Sequence, residues 1–283
     1  MIAVGNWQCI GKYRRGGLRH ARAPVCVCVL FRGSCFNGDM SSSTQVLKSI
    51  GPKLVPFFKS VSVYFLIFAE QPSLLTACFK CLPIISLIIF ILLHGINLSR
   101  EYTFSRRILT GLVFSCAGDA LLVWPSFFIP GMCMFALAQI TYIIAFGFTP
   151  LNLRLGAFLY ALCSPVIYAL LPGLDGVLAI GVPVYTLLLT TMAWRAISRV
   201  QFDGELWTWT KLCSCIGSIS FLVSDTILGF HYFYRPLPYS HVSIMLTYYA
   251  AQLGIALSAV GTKDSNSNNN LSNNNNKRMI SKG

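Results

Sequence analysis

The chain carries its hydrophobic residues in long unbroken runs rather than in short alternations. Between residues 54 and 260 eight such runs succeed one another: 54–69, 74–96, 107–128, 129–148, 153–171, 176–194, 212–233 and 242–260. Most are about 20 residues long, the length an α-helix needs to cross a hydrocarbon core roughly 30 Å thick. They are too continuous for barrel strands, which alternate over about ten residues. The first run is short and contains Lys59. The pattern predicts an all-α fold, a polytopic membrane helical bundle with about eight transmembrane helices.

Composition agrees with that class. The 283 residues are 55% hydrophobic and 11% charged, against roughly 25% charged in soluble domains. The formal net charge of +13 does not point to nucleic acid, because the basic residues gather in loops and at the ends. One side of the bundle would collect Lys48, Lys53, Arg100, Arg106, Arg107, Arg154, Arg195, Arg199, Lys211 and the tail lysines. The other holds only Arg235. That asymmetry places both termini in the cytoplasm.

The ends read differently from the middle. Residues 1–39 hold six basic residues against the single acid Asp39, a net of +5. This Arg-rich, acid-poor composition fits a transit peptide. The competing reading takes Met40 as the natural start and the preceding segment as a disordered basic extension. Residues 263–283 contain Asn-rich runs with Ser and Lys, a polar low-complexity tail that cannot bury enough surface to fold. The expected organisation is therefore an extension over 1–39, a membrane domain over 40–262 and a disordered tail over 263–283.

Two of the nine acidic residues, Asp119 and Asp225, sit inside the third and seventh runs. Ionisable groups at membrane depth are costly and mark pathways or sites. At about 1.5 Å per residue, Asp119 lies about 20 Å beyond Arg106, and Asp225 about 21 Å beyond Lys211. Lys80, in the second run, lies about 12 Å below its outer end. All three fall at similar depth in the outer half, where an ammonium would offset carboxylate charge. The bland alternatives are protonated carboxyls that bond neighbouring helices, and a Lys80 that snorkels to the interface. Pro83, one turn after Lys80, would kink that helix and free a carbonyl. A weak four-plus-four parallel repeat relates Gly111, Asp119, Leu122, Pro130 and Tyr142 to Gly217, Asp225, Leu228, Pro236 and Tyr248.

Other polar residues in the runs are candidates for a cavity lining. Gln139 and Tyr142 share one helix face, as do Tyr248, Tyr249 and Gln252. Each equally suits an interhelical hydrogen bond. Trp124, Trp194, Trp207 and Trp209 read as interfacial belt residues, and His231 and His241 as interfacial. The eleven cysteines show no disulfide framework. Cys78 and Cys81 have C-x-x-C spacing, but no second pair or suitably spaced His supports a metal or redox site. No H-E-x-x-H, G-x-S-x-G or Walker pattern is present.

Several segments together carry a family resemblance. They are Gly51-Pro52-Lys53-Leu54-Val55-Pro56-Phe57-Phe58-Lys59, Lys80-Cys81-Leu82-Pro83, Gly111-Leu112-Val113-Phe114-Ser115 with Gly118-Asp119, Trp194-Arg195-Ala196, Ser224-Asp225 and Tyr248-Tyr249-Ala250-Ala251-Gln252. In order and spacing this set resembles the animal branch of the YhhN-like lysoplasmalogenase family, from about residue 40 to 262. The resemblance implies an eight-span hydrolase of the endoplasmic reticulum. Its lysophospholipid substrate would be cleaved at the vinyl ether bond to a fatty aldehyde plus glycerophosphoethanolamine or glycerophosphocholine. No metal or organic cofactor is required.

One departure stands out: relatives often place a His where this chain has Gln139. Vinyl ether hydrolysis needs a protonated acid and an anion, roles that two carboxyls in unlike surroundings can divide. Asp119 and Asp225 are expected as the catalytic pair. Lys80, Gln139, Tyr142, Tyr248, Tyr249 and Gln252 are expected to bind substrate or tune the acids. The alternatives are a proton-coupled transporter or lipid-binding protein using the same acids, and a regulatory relative of reduced activity.

Overall fold

A computed structural model of the chain describes residues 40–67, 72–93, 102–200 and 209–260. The expected extension over 1–39, the tail over 263–283, Arg100 and Trp207 lie outside the described residues. By contact density the chain divides into Met1–Gln45 and Val46–Gly283. Of the first unit only the start of the first helix is described.

Eight helices follow in order: α1 (Met40–Leu66), α2 (Leu74–Leu93), α3 (Thr103–Leu121), α4 (Phe128–Phe146), α5 (Leu153–Leu170), α6 (Leu178–Ser198), α7 (Trp209–Phe233) and α8 (Ser240–Ser258). No strand occurs among the described residues. Five segments are long and apolar enough to cross a membrane: Leu74–Leu93, Pro125–Phe146, Leu153–Gly173, Leu178–Ser198 and Trp209–Phe233. They make the protein a multi-pass, all-helical membrane protein. α1, α3 and α8 are not among them; α3 carries Arg106, Arg107 and Asp119, and α8 carries Gln252 and two adjacent tyrosines.

Two boundaries differ from the hydrophobic runs by more than four residues. α1 begins at Met40 rather than at residue 54 and carries Pro52 and Pro56 inside it. α3 ends at Leu121, not at residue 128, because Pro125 opens a short 3-10 turn (Pro125–Phe127) before α4. Proline has no N–H to continue the preceding helix but suits a first turn.

The membrane helices are apolar outward and more polar inward. On α2, Leu82, Ile85, Ile89 and Leu92 are exposed, whereas Ala77, Cys81, Ile84, Leu87 and Ile91 are buried at helical spacing. Lys59 on α1 is exposed beside Phe58. Ser115, Gln139, Ser214, Ser218 and Gln252 are buried instead. Hydroxyls of Thr110, Thr141, Thr186, Thr190, Thr191 and Thr226 return to the carbonyl four residues earlier. Each thus satisfies itself within its own helix, as an apolar surround requires.

Arg195 corrects the loop-charge reading. It is not a loop residue but a fully buried one near the end of α6. Its Nε donates to Gly147 O at 2.7 Å and its Nη2 to Pro150 O at 2.9 Å. The guanidinium also stacks over Phe148 and Trp194, with centroid distances of 5.3 and 5.2 Å. Gly147 ends α4 at φ 72, a conformation that favours glycine. Arg195 therefore clamps the α4–α5 connection to α6, and Trp194 adds an Nε1 bond to Asn152 O at 2.8 Å.

α7 and α8 form the closest helix pair. A Cβ built on Gly217 would meet Ala251 O at 2.8 Å and Ile255 N at 2.9 Å. These are backbone atoms that cannot swing aside, so the small residue sets the approach of the two helices. Gly217→Ala should therefore destabilise the protein by about 1–3 kcal/mol, the usual cost of overpacking. Gly181→Ala, whose Cβ would meet only the Met132 methyl at 3.0 Å, should melt no lower than wild type. Thermal unfolding in detergent compares the two.

Candidate active site

α8 carries the residues that organise the site. Its adjacent Tyr248 and Tyr249 leave the helix about 100° apart and engage different neighbours. Tyr248 Oη donates to Asp119 Oδ2 on α3 at 2.5 Å. Tyr249 Oη donates to the carbonyl of Lys80 on α2 at 2.9 Å. One turn on, Gln252 Oε1 accepts from Tyr142 Oη on α4 at 3.1 Å. The Tyr248 ring is held edge-on by Phe135 and Phe221, with centroids 5.8 and 5.6 Å away.

Asp119 is 2% exposed and pairs with Lys80, Nζ to Oδ1 at 3.6 Å. It is the one ion pair among the described residues. Two tyrosines of α8 thus hold this pair from both sides, one at the carboxylate and one at the lysine backbone. Pro83 supplies no N–H to the carbonyl four residues back, that of Phe79; the next carbonyl, Lys80 O, is the one Tyr249 bonds.

Asp225 has different company. Tyr185 Oη of α6 donates to its Oδ2, and no basic side chain pairs with it among the described residues. The neighbouring Ser224 donates to Ile244 O at 3.0 Å. The two carboxyls are therefore chemically unlike: one beside an ammonium, the other beside a neutral phenol.

Both face one cavity of about 110 Å³. Lys80, Asp119, Tyr185, Asp225 and Tyr248 are among its polar lining, and Met132, Phe135, Val166, Leu189, Leu222 and Phe233 are among its apolar walls. A second cavity of about 250 Å³ adjoins it and shares Lys80, Leu122, Phe128, Leu228, Ile244 and Met245. It lies where α2, α4 and α8 begin and α1, α3 and α7 finish, and adds Tyr64, Thr76, His231, Tyr232, Ser240 and His241 to its lining.

Of the residues expected at the site, Lys80, Asp119, Asp225 and Tyr248 line the first cavity. Tyr142, Tyr249 and Gln252 do not; they stand behind it as buried interhelical hydrogen-bond partners. Gln139 is also fully buried outside the lining. Its amide comes near Tyr185 without reaching hydrogen-bond geometry. The reason is rotational: on α4 and α8 these side chains project toward neighbouring helices rather than toward the space between α3 and α7.

Tyr185 was not among the expected residues. It is a lone tyrosine in an apolar run, and nothing in its neighbourhood along the chain marks it. His231 and His241, expected at the interface, line the second cavity. Cys81, half of the C-x-x-C spacing, donates its thiol to Cys116 O at 3.4 Å, and Cys78 is exposed.

A helical membrane protein with two carboxyls facing an intramembrane cavity is the class these features define. Residues 75–259 match the YhhN family model, and the chain belongs to that family. It is 44% identical over 230 residues to "Lysoplasmalogenase TMEM86A" of Bos taurus, covering 80% of this chain and 95% of the relative. The corresponding protein of Homo sapiens is 43% identical over the same shares. "Lysoplasmalogenase TMEM86B" of Sus scrofa is 38% identical over 74% of this chain and 87% of its own length. No solved structure matches the chain.

The Lys80–Asp119 geometry has a direct consequence for stability. Lys80→Met leaves a buried carboxyl without its ammonium and should cost about 3 kcal/mol. Adding Asp119→Asn should recover most of that loss, since an apolar–neutral pair has no buried charge to desolvate. Melting of the two variants in detergent at neutral pH tests this; equal melting temperatures would contradict it.

Proposed function

We propose that the protein is a lysoplasmalogenase, a membrane hydrolase that cleaves the vinyl ether bond of lysoplasmalogens. Its products are a fatty aldehyde and glycerophosphoethanolamine or glycerophosphocholine. The named relatives support the activity. The observation that carries the mechanism is the unlike surroundings of the two carboxyls on one cavity.

The roles follow from charge. Asp119, beside Lys80 and Tyr248, is the group whose anion is stabilised. Asp225, with only the Tyr185 hydroxyl, is the group that keeps its proton in a low-dielectric site. Asp225 protonates the vinyl carbon beyond the ether-bearing one, and the ether carbon becomes an oxocarbenium ion. Asp119 stabilises that cation and takes a proton from the attacking water, giving a hemiacetal. The hemiacetal collapses as Asp119 returns that proton to the departing glycerol oxygen. The hemiacetal hydroxyl proton goes back to Asp225, and the aldehyde leaves with both carboxyls restored. This is the division of labour of paired carboxyls in glycoside hydrolysis.

All eight helices are read as membrane spans in two parallel halves, with both termini cytoplasmic and the protein in the endoplasmic reticulum. One geometric feature supports the repeat: each acid is met from the helix before its own, Asp119 by Lys80 of α2 and Asp225 by Tyr185 of α6. The hydrolase domain is taken as 40–262, between a basic extension and an Asn-rich tail.

Asp119→Asn and Asp225→Asn should each lower fatty aldehyde release by about a hundredfold or more, as removal of an acid or base does, at normal protein level. Aldehyde is measured from membranes incubated with a lysoplasmalogen. Retained turnover in both variants sinks the mechanism. Acid-dependent lipid movement without aldehyde would favour a transporter. Gln139 lies behind the cavity, so Gln139→His should not raise turnover; a large gain would mark the protein as a relative of reduced activity.

A further inference from the structure

The hydrolysis described above accounts for the reacting end of a lysophospholipid but not for its head. The second cavity has the chemistry for it. Its lining contains the ammonium-bearing Lys80, two imidazoles, and the hydroxyl-bearing Tyr64, Thr76 and Ser240. Among the described residues no Asp or Glu lines it. A concave space lined by an ammonium and by N–H and O–H groups attracts an anion.

His231 supplies the most specific evidence. The backbone N–H of Leu237 donates to His231 Nδ1 at 3.1 Å. That bond makes Nδ1 an acceptor, so in the neutral ring Nε2 carries the proton and is the nitrogen left to donate. His241 is committed otherwise: its Nε2 is bonded to Tyr64 Oη at 2.9 Å. Lys80 stands at the junction, since it lines both cavities. Its Nζ lies 3.6 Å from Asp119, and an ammonium has three donors, so the ion pair does not exhaust it. Exposed Pro72 and Tyr232 carry the lining out to the protein surface.

We propose that this vestibule is the phosphate subsite for the substrate headgroup, with Lys80 and the Nε2–H of His231 as its donors. The inference rests on the hydrolase reading and extends it. The glycerol phosphate sits in the polar vestibule, the alkenyl chain enters the apolar cavity, and the vinyl ether crosses the neck beside Lys80. Asp119 and Asp225 face the cavity on the chain side of that neck. The water-soluble product is then released from the vestibule, and the aldehyde toward the apolar walls.

The test compares His231→Asn and His231→Gln in the full-length protein in detergent. Asn keeps an acceptor for the Leu237 N–H and drops the distal donor; Gln keeps the distal donor. His231→Asn should raise KM for alkenyl-glycerophosphocholine and weaken glycerophosphocholine binding, each about tenfold, the factor of one hydrogen bond to a charged group. Its kcat/KM on the phosphate-free alkenylglycerol should fall much less, and His231→Gln should recover part of the loss. Equal losses on the two substrates, or unchanged glycerophosphocholine binding, overturn the proposal. Inorganic phosphate binding wild type as tightly as glycerophosphocholine also overturns it, because the site then takes a free anion rather than a headgroup. If wild type hydrolyses neither vinyl ether, the hydrolase reading fails. Lost glycerophosphocholine binding in His231→Asn would still support the subsite in that case.

Discussion

A carboxylate in an apolar interior needs a counter-charge and hydrogen-bond donors, and the centre of this bundle is arranged around that requirement. Asp119 is almost wholly buried, with Lys80 at one oxygen and Tyr248 at the other. Each partner comes from a different helix, so α2, α3 and α8 are tied together at one point. Tyr249 extends the same tie by bonding the Lys80 carbonyl. α8 is too polar to be selected as a membrane span on composition. Its inward residues Tyr248, Tyr249 and Gln252 are nonetheless all buried and bonded to other helices. The polar character that weakens its hydrophobic signal makes it the hub of the interior.

The second carboxyl has different surroundings. Asp225 has a tyrosine where Asp119 has a lysine. A phenol can donate to a carboxylate but brings no charge. One cavity thus holds two carboxyls in unlike surroundings. The adjoining cavity has the larger polar share of the two and shares Lys80 with the first.

Local residue patterns made the helices readable because each run of apolar side chains states its own requirement for lipid. All eight expected runs correspond to helices, and the largest differences are the early start of α1 at Met40 and the end of α3 ahead of Pro125. Arg195 shows the limit of reading charge by position. Near a helix end it looks like a topology signal, yet it is buried on the carbonyls of Gly147 and Pro150. A long side chain with five donors can reach a neighbouring connection, and only folding tells whether one is there.

The sequence by itself determined the all-helical class, the span-like segments, the place of Lys80, Asp119 and Asp225 inside apolar runs, and membership of a family. Each of these depends on residue type and spacing along one helix. The tertiary structure alone decided which side chains meet. Tyr185 reaches Asp225, Tyr248 reaches Asp119, and Tyr142, Tyr249 and Gln252 are turned away from the cavity. The reason is that a helix's rotation about its own axis and its distance from its neighbours are set by packing. Contacts such as Gly217 against the α8 backbone fix both, and no periodicity within a single segment encodes its partner's face.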